Sequence, residues 1–180
     1  DPGFSFRVPA CCIERIRKHD WYDPFLLQVL PRKEEMSIAR GFDVDPVGDI
    51  QAAAAPGLLH KYRNRVLLIP TNRCAVHCRY CFRRNRFSHN GKLPPFNLRS
   101  AMRYIAKHEE LDEVILSGGD PLMAPDTALQ RIADRLLGMP HINTIRIHTR
   151  VPVVLPERID AQLLDIIGHC ARNKQCVVII

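Results

Sequence analysis

Four short apolar runs recur over the last two-thirds of the chain: Val66-Leu67-Leu68-Ile69, Val114-Ile115-Leu116, the pair Ile145 and Ile147, and Val177 to Ile180. The first of these, Val66 to Ile69, is continuous and suits a strand buried on both faces, as in parallel sheets; the others mark further strands. Between them apolar residues return at helical spacing. Leu98, Ala101, Met102, Ile105 and Ala106 follow Asn97 as N-cap, and Leu129, Ile132, Ala133, Leu136 and Leu137 lie between Asp126 and Gly138, with a cap expected at each end. Leu163, Ile167 and Cys170 follow Asp160, with Ile159 placed to staple onto Leu164. This alternation predicts an α/β fold built on a parallel sheet. Such sheets collect ligands at the C-terminal ends of their strands.

The loop after the first run is Thr71-Asn72-Arg73-Cys74-Ala75-Val76-His77-Cys78-Arg79-Tyr80-Cys81, a C-x3-C-x2-C spacing. Three thiolates in one loop suit three irons of a [4Fe–4S] cluster and leave the fourth open, whereas an electron-carrying cluster usually takes four. An open coordination position marks a catalytic metal site rather than a closed structural one. Zinc is the competing occupant, with His77 or His89 completing a Cys3His set. The second run ends in Ser117-Gly118-Gly119-Asp120, where the glycines serve either a tight turn or close backbone approach to a ligand. Lys61, Tyr62 and Arg65 stand just ahead of the first run as either a phosphate grip or solvated surface. His148 ends the third run, at the same rim.

The chain has 180 residues, 46% of them hydrophobic and 25% charged, enough for one domain with a real core. No apolar run approaches the ~20 residues that span a bilayer, and no charged-then-apolar leader opens the chain; a cytoplasmic protein is expected. Seven cysteines is an odd number, and Cys11, Cys12, Cys170 and Cys176 lie in or beside apolar segments as small core residues. The net charge of +7 suits RNA or an acidic protein partner, but Arg79, Arg83, Arg84 and Arg86 are equally explained as local compensation beside the thiols.

Residues 8 to 20 form a short amphipathic stretch with Ile13 and Ile16 expected inward. Asp23-Pro24 caps a brief helix over Phe25 to Leu30, which Pro31 stops. From Arg32 to Pro56 the pattern breaks down, with Gly41, Asp45-Pro46, Gly48 and an alanine run, as expected of a wrapping connection. Residues 1–59 are therefore expected to be a helical extension, and residues 60–180 the α/β body. A final apolar strand with nothing after it leaves a sticky edge, so the sequence is expected to be a piece of a larger fold.

The cysteine spacing, with Tyr80 just before the last thiol, resembles the signature of the radical S-adenosylmethionine (radical SAM) enzymes. Within them, Pro56 to Arg65, Ser117 to Leu122, Arg146 to Pro152, Phe6 to Pro9 and Asp23 to Leu30 resemble the lysine 2,3-aminomutase family, most of all the branch that makes (R)-β-lysine for elongation factor P. The resemblance implies a partial (βα)6 TIM-like barrel, here truncated after its fourth strand, with an N-terminal helical extension. It implies a [4Fe–4S] cluster on Cys74, Cys78 and Cys81, and SAM held by Tyr80, Ser117, Gly118, Gly119, Asp120 and His148. It also implies pyridoxal 5′-phosphate gripped through its phosphate by Lys61, Tyr62 and Arg65, and the carboxylate of substrate lysine held by Arg83, with Arg84 and Arg86 as outer charge. A reductant protein of flavodoxin or ferredoxin type and the elongation factor P modification machinery are the implied partners. The lysine that anchors pyridoxal phosphate and the carboxylates that read the substrate's ε-ammonium belong, in that family, beyond the fourth strand, so the 180 residues alone are expected not to complete the reaction. An RNA-modifying radical SAM enzyme and a zinc-stabilised binding module without catalysis are the alternatives.

Overall fold

The computed structural model of the chain describes residues 4–37, 40–84 and 95–180, which leaves Arg86 and His89 outside the described residues. Six strands form one sheet in chain order: β1 (Ala53–Ala55), β2 (Leu58–Tyr62), β3 (Arg65–Leu68), β4 (Glu113–Leu116), β5 (Thr144–His148) and β6 (Gln175–Ile179). The last four are parallel, in the register Leu67↔Ile115↔Arg146↔Val177. They are the four expected strands. The first two are antiparallel additions from the stretch expected to be connection or approach, and β2 runs across the 59/60 division. Alanine has little strand propensity of its own, so β1 was invisible until its pairing with β2 was known.

Three long helices connect the parallel strands: α3 (Leu98–Lys107), α4 (Asp126–Leu137) and α6 (Ala161–Asn173). Asn97 caps α3 by accepting from Ser100 N at 2.9 Å, and Asp160 caps α6 by accepting from Leu163 N at 2.8 Å. α4 instead has Pro125 at its N-cap with no side-chain cap, and Asp126 is already helical. Of the pair expected to staple the start of α6, Ile159 packs on the main core and Leu164 is exposed.

The parallel strands are buried unequally on their two faces, which corrects the expectation of two-sided burial. Val66, Leu68, Val114, Leu116, Ile145 and Ile147 point towards the helices and join Met102, Ile105, Ile132, Leu136 and Leu163 in the main core. The opposite face carries Arg65, Leu67, Ile115, Arg146 and His148, all only partly buried, as befits the inner wall of a half-open barrel. Glu113, buried on that wall, pairs with Arg146 at 2.5 Å and Arg65 at 3.4 Å.

The N-terminal segment lies against the loop that follows β3. α1 (Ala10–Ile13) is a single turn that buries Cys12; Ile13, expected inward, is exposed because the helix ends before a second turn can cover it. α2 (Pro24–Val29) starts as expected, with Asp23 accepting from Phe25 N and Leu26 N at 2.9 Å each. Cys12 and Val29 join Ala75, Val76 and Val154 in a second, much smaller core, which fastens this segment to the cysteine loop. Short α5 (Val151–Val154) supplies the last of these.

Candidate active site

The cysteine loop leaves the C-terminal end of β3, where the parallel register also brings the ends of β4 and β5. Its contact with the β4 end explains the paired glycines. A Cβ on Gly119 would stand 2.5 Å from Arg73 O, and one on Gly118, at φ +109°, would stand 2.3 Å from Ile69 Cγ2. Both glycines thus let the two loops touch.

Asp120 closes the same corner. Its buried carboxylate accepts from Thr149 Oγ1 at 2.6 Å, Arg150 N at 2.7 Å and Leu122 N at 3.1 Å, while its own N–H donates to Arg73 O at 2.8 Å. Asp120 therefore ties the ends of β3, β4 and β5 together. Sequence reasoning assigned it to a ligand and missed this joining role, for which the only local signal was its position after a strand.

A cavity of ≈320 Å³ opens here, lined by residues that include Cys74, Cys78, Ser117, Gly119, Asp120 and His148. Small-molecule sites span about 300–1,000 Å³. His148 Nε2 is buried with no hydrogen-bond partner among the described residues, and burial, followed by Arg146, holds the ring below its ordinary pKa. The wall thus offers a neutral imidazole with an unused nitrogen.

All seven cysteines are free thiols. Cys74 and Cys78 share the cavity, and Cys81 lies near enough to act electrostatically on Cys74. Burial first, then Asp120, Cys81 and Cys78, pushes Cys74 up to about 12, and burial also raises Cys81. Among the described residues no three His, Cys, Asp or Glu side chains are gathered closely enough to enclose a metal ion. The donor chemistry nevertheless fits an iron–sulfur group: three soft sulfur donors stand on one loop, and they would bind as thiolates, releasing protons as the group is taken up. His77 gives the zinc alternative no support. Its ring stacks on Phe4 with centroids 4.7 Å apart, and its Nδ1 donates to Ser5 O at 2.7 Å, which turns it to the N-terminal segment.

Arg150, to which sequence reasoning gave no role, donates from Nη1 to Cys78 Sγ at 2.7 Å and from Nη2 to Gln28 Oε1 at 3.0 Å. Its guanidinium lies 5.6 Å from the centroid of the exposed Tyr80 ring. Arg79 and Arg84 share the single carboxylate of Glu35, at 2.5 Å and 2.8 Å, and Arg84, with Arg83, still favours the charged form of the Cys81 thiol against the effect of burial. The Arg79 hydrogen bond is the main reason that the Glu35 carboxyl falls from 4.5 to about 2.

A second cavity, of ≈440 Å³, lies on the inner wall and is lined by Lys61, Tyr62, Arg65 and Arg83 together with Val47, Leu59, Leu67, Phe82 and Ile115. Every residue expected to grip a phosphate or a substrate carboxylate is therefore on one wall. Phe82 lines both cavities. The cations are not bare: Arg65 pairs with Glu113, while Lys61 and Arg83 share Asp49 at 2.5 Å and 2.6 Å. Burial pushes Asp49 upward, but Arg83 and Lys61 outweigh it and leave the carboxyl below its ordinary range. Three cations and a phenol around one cavity fit an anionic ring compound such as pyridoxal phosphate.

A family model for the radical SAM superfamily matches residues 68–169. The chain is 47% identical over 162 residues to the L-lysine 2,3-aminomutase of Escherichia coli (strain K12), covering 90% of this chain and 47% of that protein. It is 46% identical over 169 residues to the L-lysine 2,3-aminomutase of Haemophilus influenzae, with 92% and 49% covered. It is 36% identical over 154 residues to that of Clostridium subterminale, with 84% and 37% covered. The chain spans about half the length, or less, of these curated relatives. No helix among the described residues is long and apolar enough to cross a membrane.

Proposed function

Because the chain belongs to the radical SAM superfamily and is homologous to L-lysine 2,3-aminomutases, we propose that it forms the cluster-bearing part of a pyridoxal phosphate-dependent lysine 2,3-aminomutase, of the kind that supplies β-lysine for elongation factor P. The observation that carries this reading is the pair of adjacent cavities separated by Phe82, one at the cysteines and one among four basic or phenolic side chains. The basic and phenolic lining of the second is what an anionic cofactor beside SAM would require.

In this reading Cys74, Cys78 and Cys81 hold the cluster, and Tyr80, Ser117, Gly118, Gly119, Asp120 and His148 surround SAM. Lys61, Tyr62 and Arg65 take the phosphate of pyridoxal phosphate, and Arg83 takes the lysine carboxylate. When bound, the cluster with SAM would supply radical initiation, and pyridoxal phosphate an aromatic ring able to delocalise an unpaired electron. The residues of this chain bind and orient. Arg83 presents a planar fork matched to a carboxylate, Lys61 a compact charge matched to phosphate. Asp120 fixes the strand ends that carry the SAM contacts, and the apolar side chains Leu59, Leu67, Phe82 and Ile115 exclude water from the reacting carbons. A flavodoxin- or ferredoxin-type protein is the proposed electron source, and the cytoplasm the proposed location.

The test is an anaerobic iron and sulfide assay with electron paramagnetic resonance of the reduced protein, with and without SAM, followed by absorbance titration with pyridoxal phosphate. The reading expects about four irons and four sulfides per chain, a signal that changes on adding SAM, and saturable pyridoxal phosphate binding. Zinc without sulfide would end the radical SAM assignment of function. An intact cluster with no pyridoxal phosphate binding would end the aminomutase assignment alone.

A further inference from the structure

Asp49 comes from a stretch in which sequence reasoning found no chemistry, yet its carboxylate is among the most buried charged groups of the chain. One oxygen accepts from Lys61 Nζ at 2.5 Å and the other from Arg83 Nε at 2.6 Å. Its backbone is held as firmly. Asp45 accepts from Asp49 N at 2.9 Å through Oδ1, from Ile50 N at 2.8 Å through Oδ2, and from Gly48 N at 3.0 Å through its carbonyl. Lys61 also donates to Val47 O in the same turn at 2.5 Å. The turn thus presents one carboxylate to two cations that border the inner cavity.

The geometry leaves the ligand-facing groups of both cations in place. An ammonium has three protons, and the described bonds of Lys61 use two. Arg83 is engaged through Nε, and its Nη1/Nη2 edge, one of the two edges that can fork onto a carboxylate, has no hydrogen bond among the described residues. Without Asp49, Lys61 would keep its bond to Val47 O and Arg83 its place over the Phe82 ring, but no group would bridge the two like charges across the half-buried wall.

We infer that Asp49 is a positioning residue that ties Lys61 and Arg83 into one unit, so that a single carboxylate sets both the phosphate contact and the substrate-carboxylate contact. The ligand identities rest on the proposed function; the tie itself does not. The two anion sites then respond together to any change at Asp49, although neither ligand touches it.

The test is residue-resolved labelling of the purified protein under anaerobic conditions, with acetic anhydride for Lys61 and phenylglyoxal for Arg83, read by peptide mass spectrometry. In Asp49→Asn, labelling rises severalfold at both residues, while Lys174 and Arg158, fastened elsewhere to Met139 O and Asp126, stay unchanged. In the unaltered protein pyridoxal phosphate protects Lys61 and lysine protects Arg83. In Asp49→Asn both half-protection concentrations rise about tenfold, as expected for loss of one hydrogen bond between charged groups. A rise in labelling at only one residue, a shift for only one ligand, or tighter binding of both would overturn the inference, the last by making Asp49 a competing anion. If neither ligand protects the unaltered protein while both labels still rise in Asp49→Asn, the pyridoxal phosphate reading fails and the tie stands. Should Asp49→Asn unfold the chain, Lys174 and Arg158 label in parallel. Asp49→Glu, which keeps the charge but displaces both oxygens, then carries the test, and both labels must rise there.

Discussion

The parallel half of the sheet and the N-terminal segment are held by different forces. β3 to β6 and their helices share one continuous apolar core, in which Ile105, Ile132, Leu136, Ile145 and Leu163 are almost wholly enclosed. Among the described residues, the N-terminal segment has the small core around Cys12 and Val29 and grips the cysteine loop through directed polar contacts: Arg79 and Arg84 on Glu35, Arg79 Nη1 on Phe4 O at 3.0 Å, His77 N on Arg7 O at 2.9 Å and Arg79 N on Gln28 O at 2.8 Å. Apolar burial makes a scaffold whose stability varies little with pH. Ion pairs make a clasp that depends on protonation and geometry. The cysteine loop lies between the two, with one end fixed to the scaffold and its outer side held by the clasp.

The comparison is broken most forcefully in the scaffold. Ile145→Ala removes a buried side chain from the centre of β5 and is expected to cost about 3–4 kcal/mol of global stability in denaturant unfolding. A loss below about 1 kcal/mol would mean that the main core does not carry the fold.

Glu35→Gln leaves the buried guanidinium of Arg79 without its carboxylate, an expected local cost of about 3 kcal/mol. Limited proteolysis should then cut within residues 4–37 while α4 and α6 stay protected. Uniform protection would show that the clasp does not depend on this ion pair.

Acid should sharpen the distinction. Folding holds the Glu35 carboxyl at about 2, against 4.5 when unpaired, so its stabilisation is complete above 4.5 and is lost as pH falls towards 2. Hydrogen exchange should accelerate in residues 4–37 over that window before it does in β4 and β5. Simultaneous loss would merge the two regions into one cooperative unit.

Leu164→Gln supplies the smallest effect. Leu164 is exposed, so the change should stay within about 0.5 kcal/mol. A larger loss would restore the contact that sequence pattern suggested.

What could be read from sequence was local. Asp23, Asn97 and Asp160 cap helices because each side chain reaches an amide two or three residues on. The apolar runs of β3 to β6 and the cysteine spacing were legible for the same reason, since strand, helix and ligand loop are each written within a few neighbouring residues. Ile13 was misjudged where periodicity continued past the point at which a neighbour exists to cover it.

What only the tertiary structure decided was which distant groups meet. Asp49 lies 34 residues from Arg83, and Glu35 lies 44 from Arg79; Asp120 reaches Thr149 across 29. β1 is a strand because β2 lies beside it, and β2 because β3 does. An acidic residue in an aperiodic stretch has the same local appearance whether it faces water or clamps two cations. Local sequence determines backbone preference and the side of an element that is apolar; the partner of a charge is determined by packing, through distances that the chain's own order does not contain.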